Sequence, residues 1–276
     1  MSLLERIIDA KRREVEDMSD GHGRAETLGP TRTAIDVVSV LRRPERAPLR
    51  LIAEVKLRSP SAGPLSRALS PADRAVAYAE AGAAMVSVLC DTEFFDGSWD
   101  HLRLARQALE GAARLQGPSG ARLPLLAKEF VIDRRQVGRA RDAGADALLL
   151  IARIVSRSRL ADLARACRDE GLEPFVEVVD EIEVDAALEA GARVVGVNAR
   201  DLDTLRMDPD RTARVLRAIP PAIVAVHLSG LRVPDDVSAA ARGRPDAALI
   251  GEALMRDDDP RPRLRSFVAA ATNAVA

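Results

Sequence analysis

Three junctions in the chain repeat almost verbatim: Ala81-Gly82-Ala83, Ala143-Gly144-Ala145 and Ala190-Gly191-Ala192. Each puts a glycine where a helix must end, in the left-handed conformation that glycine takes without strain, and each runs into an apolar stretch of strand length. The same alternation extends along the chain from residue 50. Strands are read at 50–56, 84–90, 123–128, 145–151, 174–179, 193–198, 222–227 and 246–250. Helices are read between them near 71–81, 98–113, 133–143, 157–170, 181–190, 209–218 and 234–242, with a last helix closing the chain. Strict alternation implies a parallel sheet, and eight such units predict its closure into an α/β barrel of the (β/α)8 (TIM barrel) type. The 276 residues suit one domain of this kind. Ahead of the first strand, Leu3, Leu4, Ile7, Ile8 and Val15 stripe a helix over 2–18, Gly21, Gly23, Gly29 and Pro30 make a loop, and Ile35, Val37, Val38, Val40 and Leu41 make a shorter helix. Residues 1–48 are thus an N-terminal helical extension, expected to pack across the base or rim of a single barrel domain spanning 1–276.

Lysine plus arginine (41) nearly cancels aspartate plus glutamate (42), so bulk electrostatics favours neither nucleic acid nor an anionic membrane. Any bound anion must be held locally. The N-terminal stretch carries charges every few residues and lacks a signal-peptide core, and no run of about 18 apolar residues occurs, so a cytoplasmic protein is expected. Cys90 and Cys167 lie far apart, with neither disulfide-framework nor metal-ligand spacing, and Cys167 reads as a small buried residue on a helix.

Arginine occurs 38 times and lysine three times, at Lys11, Lys56 and Lys128. Where arginine serves nearly every surface cation, a lysine asks for a reason. Lysine can give up its proton when buried, and so can act as an acid or base. Lys56 and Lys128 both fall at strand ends, and the only asparagine in the body of the chain, Asn198, does too.

A barrel enzyme keeps its active site at the C-terminal ends of its strands. Strand 1 (LIAEVK) offers Glu54 and Lys56, two residues apart and so on one face. Two opposite charges on one face of an otherwise apolar strand are costly unless used. Strand 3 ends in Lys128, Glu129 and Phe130, strand 5 carries Glu177, and strand 6 ends in Asn198 with Arg200 beyond it. A single charge at a strand end reads as a solvated terminus or a weak ion pair. Two lysines and two glutamates converging on one mouth supply acids and bases with shifted pKa values. The turns Ser229-Gly230 and Gly251-Glu252, after strands 7 and 8, suit a phosphate held by backbone N–H groups, with the Glu252 side chain pointing away. Among only seven aromatic residues, the Phe94-Phe95 pair after strand 2 reads either as a loop tucked onto a helix or, with Phe130 and Pro60, as a wall for a flat ring.

Taken together these segments resemble the indole-3-glycerol phosphate synthase family. The likeness covers nearly the whole chain: LLERIIDAKRREV, AEVKxxSPSxG, SVLxDxxFFxGS, LLxKEFxID, GADALLLI, PFVEV, VGVNxRDL, SGL and IGEALMRxxDP. The resemblance implies ring closure, decarboxylation and dehydration of 1-(2-carboxyphenylamino)-1-deoxyribulose 5-phosphate to indole-3-glycerol phosphate, a carbon-carbon lyase reaction of tryptophan biosynthesis. It implies no metal and no organic cofactor. Carried over by motif, Lys128 is the general acid on the ribulose carbonyl and Lys56 assists departure of the hydroxyl. Glu54 and Glu177 stabilise the ring-nitrogen cation and accept its proton, while Asn198 and Arg200 order the substrate hydroxyls. Ser59, Ser229, Gly230, Gly251 and the backbone of Glu252 surround the phosphate and sugar chain, and Pro60, Phe94 and Phe130 face the anthranilate ring. The expected partner is a small phosphorylated substrate, not nucleic acid or membrane, and the expected state is a monomer or weak homo-oligomer.

The chain departs from the family pattern at four places. Leu57 and Ala62 stand where basic residues are usual, with Arg58 available to compensate, Leu228 replaces the glutamate before Ser229-Gly230, and Ala199 replaces a second asparagine. These changes spare the acid/base residues and suggest either a slower enzyme or one acting on a substituted substrate in tryptophan-derived natural product synthesis. Two other readings keep the barrel: an inactive barrel that binds a phosphorylated ligand, and phosphoribosylanthranilate isomerase. The isomerase calls for Cys and Asp on strands 1 and 5, where this chain has Glu54 and Glu177.

Overall fold

The structure, a computed structural model, describes residues 2–18, 35–60, 62–112, 122–200 and 206–275. The loop expected around Gly21, Gly23, Gly29 and Pro30, and Ser61, Asp201 and Leu202 of the motifs, lie outside the described residues. Eight parallel strands close into a barrel. They are β1 Arg50–Val55, β2 Met85–Leu89, β3 Leu125–Lys128 and β4 Ala147–Ile151, followed by β5 Glu173–Val178, β6 Val194–Asn198, β7 Val224–Leu228 and β8 Ala247–Ile250. Each pairs with its sequence neighbours, and β8 returns to β1 with Ala53 opposite Ile250. Every expected strand is present with ends shifted by a residue or two. A two-residue ribbon, Arg58–Ser59 against Gly63–Pro64, stands above β1 as an addition to that expectation.

Helices α1 Leu3–Glu16 and α2 Val37–Leu41 precede the barrel. Outside it run α3 Pro71–Glu80, α4 Trp99–Gly111, α5 Arg134–Asp142 and α6 Arg157–Asp169, then α7 Glu181–Glu189, α8 Pro209–Ala218 and α9 Pro234–Ala241. The four-residue α10 Glu252–Met255 and then α11 Arg261–Asn273 complete the ring. Ser70, Ser98, Ser156, Asp180 and Asp208 each accept a first-turn N–H, which anchors five helix starts at about 1 kcal/mol apiece. Gly82, Gly144 and Gly191 take φ of 95°, 91° and 73°, the left-handed helix stop that the repeated junctions call for. Among the described residues no helix is long and apolar enough to cross a membrane.

Strand alternation divides the core in two. Ile52, Met85, Leu126, Phe175, Val226 and Leu249 fill the barrel interior, while Leu51, Ala53, Val86, Leu125 and Val176 face the helices. Cys90 and Cys167 are free and buried in that outer layer. The N-terminal extension covers both ends of the barrel. Leu4 and Ile7 of α1 join Phe94 and Phe130 at the C-terminal mouth, and Val37 and Leu41 of α2 pack with the interior residues. The α2 end is held at the starts of β7 and β8. There the Arg42 guanidinium donates to the carbonyls of Pro221 (2.8 Å) and Ala222 (2.5 Å), and the Arg43 N–H donates to Asp246 Oδ1 (3.2 Å).

Leu41 is fully buried and Ile182 is 69 % exposed. Leu41→Ala is expected to destabilise the protein by about 2–5 kcal/mol through the cavity it leaves. Ile182→Ala is expected to stay within about 0.5 kcal/mol of the parent. Urea denaturation of the two variants beside the parent measures the contrast.

Candidate active site

The strand period places alternate side chains on one face, so Glu54 and Lys56 both turn into the mouth and meet there, Lys56 Nζ lying 2.9 Å from Glu54 Oε1. Glu54 is 2 % exposed. Its carboxylate lies against the turn after β8, and a Cβ on Gly251 would land on Glu54 Oε1 and within 3.2 Å of Lys56 Nζ. A side chain at 251 would therefore push the Glu54 carboxylate out of its place beside Lys56, and glycine leaves the pair its room. Glu54 Oε2 is buried and has no hydrogen-bond partner among the described residues.

Across the mouth, Lys128 at the end of β3 donates to Glu177 Oε2 of β5 at 3.3 Å. Asn198 of β6 fixes the other oxygen, donating to Glu177 Oε1 at 2.8 Å while its own Oδ1 accepts the Arg200 N–H at 3.0 Å. Burial pulls the Lys128 pKa down, but Glu177 and Glu54 outweigh it and hold the ammonium above the usual lysine value. Two lysines, each paired with a carboxylate, thus face one cavity of about 150 Å³. Such a site can deliver protons at one point and take them up at another.

The cavity wall contains Glu54, Lys56, Ser59, Pro60, Lys128, Phe130, Glu177, Asn198, Arg200, Ser229, Gly230, Gly251 and Glu252, so one mouth brings together all but one of the residues singled out in the sequence. The exception is Phe94. Its ring lies under the Arg6 guanidinium, 6.0 Å from carbon to centroid, and Phe95 takes its place on the cavity wall, tilted against Phe130 at 6.0 Å. The sequence shows the aromatic pair and cannot say which member turns inward. The Glu252 carboxylate accepts from Arg256 at 2.6 Å, along its own helix and away from the turn.

Arg58 does not supply the cation missing at Leu57. Its guanidinium binds Asp96 at 3.1 Å and the Glu93 carbonyl, which ties the β1 loop to the β2 loop. His227 does not stand in for the carboxylate absent at 228. Leu228 joins the barrel interior, and the next-door His227 projects to the opposite face of β7, where burial pushes its pKa down to about 4. Leu57, Ala199 and Leu228 are all buried.

Among the wall residues that escaped sequence reasoning are Leu3, Leu4 and Ile7 of α1, and Arg232 beyond Gly230. Helical periodicity marks the apolar stripe of α1 without saying that it faces a ligand cavity. After Leu228, Ser229 takes φ 70° and Gly230 φ 92°, and this left-handed pair turns the chain back across the mouth.

A closed (β/α)8 barrel with paired acids and bases at its C-terminal mouth defines a barrel enzyme that works by proton transfer. The family model for indole-3-glycerol phosphate synthase matches residues 4–267, and the chain belongs to that family. Among its relatives, indole-3-glycerol phosphate synthase of Mycobacterium ulcerans (strain Agy99) is 38 % identical over 275 residues, 99 % of this chain and 96 % of the relative. Indole-3-glycerol phosphate synthase 2 of Streptomyces coelicolor (strain ATCC BAA-471 / A3(2) / M145) is 45 % identical over 235 residues, 85 % of each chain. The crystal structure of 3-hexulose-6-phosphate synthase from Salmonella typhimurium superposes with TM-score 0.61 at 16 % identity, covering 82 % of this chain and 100 % of that one. At that identity the likeness speaks for the barrel alone.

With only three lysines, 13C labelling at lysine Cε gives a spectrum of three side chains. Glu177→Gln removes the carboxylate that raises Lys128, so the Lys128 resonance should titrate at a lower pH than in the parent. An unchanged midpoint would mean that Glu177 does not hold that proton.

Proposed function

We propose that this chain converts 1-(2-carboxyphenylamino)-1-deoxyribulose 5-phosphate into indole-3-glycerol phosphate with loss of CO2 and water. The observation that carries the reading is the pairing of Lys56 with Glu54 and of Lys128 with Glu177 across one cavity. The protonated Lys128 donates to the ribulose carbonyl oxygen as the ring carbon bearing the carboxylate attacks the carbonyl carbon. A new carbon-carbon bond forms, the carbonyl becomes a hydroxyl, and the ring nitrogen gains positive charge beside Glu54 and Glu177. Loss of CO2 returns an electron pair to the ring. Lys56 then protonates the departing hydroxyl, which leaves as water, while Glu54, whose Oε2 has no hydrogen-bond partner among the described residues, takes the last proton.

Asn198 serves by holding Glu177 between itself and Lys128, and Arg200 by reaching the substrate's oxygens from the adjoining turn. Ser229, Gly230, Gly251 and the Glu252 backbone provide the phosphate end, with Ser59 beside them. Pro60, Phe95 and Phe130 give the flat apolar wall an anthranilate ring needs. The reading carries with it a cytoplasmic setting and a monomer or weak homo-oligomer.

Purified protein given this substrate is expected to release CO2 and develop indole fluorescence. Lys128→Ala should lower turnover by about 10²–10⁴-fold, the usual reach of a general acid. Near-parental turnover in that variant would remove Lys128 from the role. Substrate binding without product would favour a barrel that only binds.

Leu228 motivates a second reading, a slower enzyme or one adapted to a substituted ring. Leu228 makes the wall apolar in the cavity that both lysines line, so the acid/base ring is short of one carboxylate. Leu228→Glu is expected to raise turnover of the unsubstituted substrate more than twofold in the steady-state assay. A smaller gain would set this reading aside.

A further inference from the structure

The third lysine lies in neither pair. Lys11, on α1, is 1 % exposed, and its ammonium sits among three carboxylates. It is 2.8 Å from Asp91 Oδ2, 2.9 Å from Glu14 Oε2 and 3.0 Å from Glu129 Oε1. A compact ammonium with three N–H donors fits three converging acceptors, which the planar fork of arginine would not. That accounts for a lysine in a chain that otherwise uses arginine.

The two buried carboxylates of this cage hold the cavity's aromatic side. Asp91, just past β2, accepts the Phe94 N–H on Oδ1 at 2.8 Å. Glu129, next to Lys128, accepts the Phe130 N–H on Oε1 at 2.7 Å. Phe95 and Phe130 then meet on the cavity wall, closed above by Leu3, Leu4 and Ile7 from the helix that carries Lys11. One cation therefore joins the β2 loop, the β3 loop and α1. Asp91 and Glu129 are otherwise two like charges buried together.

We propose that Lys11 is a positioning residue for the reaction proposed above, on which this inference rests: by bridging Asp91 and Glu129 it sets the Phe95–Phe130 wall and the α1 cover that bind the substrate's aromatic ring. Lys11 touches no reacting atom. Lys128 keeps its own partner in Glu177, so the acid remains in place when the cage is opened.

The protein has five phenylalanines, Phe94, Phe95, Phe130, Phe175 and Phe267, so 4-fluorophenylalanine labelling yields five 19F resonances. In Lys11→Met the signals of Phe94, Phe95 and Phe130 are expected to shift or broaden, and those of Phe175, inside the barrel, and Phe267, on the buried side of α11, to stay in place. On the ribulose phosphate substrate KM should rise at least tenfold while kcat falls no more than threefold.

Removing one partner from a buried ion pair is strongly destabilising, so a second variant keeps the test open if Lys11→Met does not fold. Lys11→Met with Asp91→Asn and Glu129→Gln leaves no buried charge unpaired, Glu14 being exposed, and retains an oxygen for each phenylalanine N–H, while cutting the tie to α1. It should give the same 19F pattern and the same KM effect. Movement of all five resonances, movement of none, or an unchanged KM overturns the proposal. If the parent makes no product, the functional reading fails while the 19F spectra still decide whether Lys11 sets the wall.

Discussion

Lys128 keeps its proton inside an apolar barrel because Glu177 stands 3.3 Å away, and much of the mouth exists to keep that carboxylate there. Asn198 grips its other oxygen, and the turn after β6 grips Asn198 through the Arg200 N–H. A buried ion pair gains little over apolar packing of the same volume. In the proposed reaction its use lies in holding a donor charged where solvent cannot, with the geometry fixed before substrate arrives. The Glu54–Lys56 pair repeats the arrangement on the opposite wall, seated on a glycine that leaves it room.

How far the molecule could be read before its structure follows from which forces act locally. The strands were legible because parallel barrel strands are apolar runs of fixed length, and the helix stops because Gly82, Gly144 and Gly191 announce a left-handed residue. Glu54 and Lys56 stood out because a period of two puts them on one face against an apolar background. The choice between Phe94 and Phe95 was not legible. It depends on the hydrogen bond from the Phe94 N–H to Asp91 and on Arg6 from a distant helix. Lys11 looked like one more charge on an amphipathic helix, although its type was already exceptional. Only the fold brings Asp91 and Glu129, about 80 and 118 positions later in the chain, to meet it.

The same alternation that made the site readable limits what can repair it. His227 is one residue from the position where a carboxylate is missing, yet neighbouring strand residues face opposite sides of the sheet, so its imidazole lies among the helices. Arg58, two residues from Lys56, is spent on Asp96. Nearness in sequence to a lost group confers nothing unless the parity of the strand agrees.

The grip of α2 on the far end of the barrel has a consequence for the order in which the protein can be made. Arg42 and Arg43 find their acceptors at Pro221, Ala222 and Asp246, residues synthesised some 180 to 200 positions after them. The ribosome emits α2 ahead of the barrel, but these acceptors do not exist until the starts of β7 and β8 have emerged. Contacts of such sequence separation are slow to form. An element translated before every barrel strand is therefore among the last to be secured, while α1 can settle as soon as the β2 and β3 loops have formed.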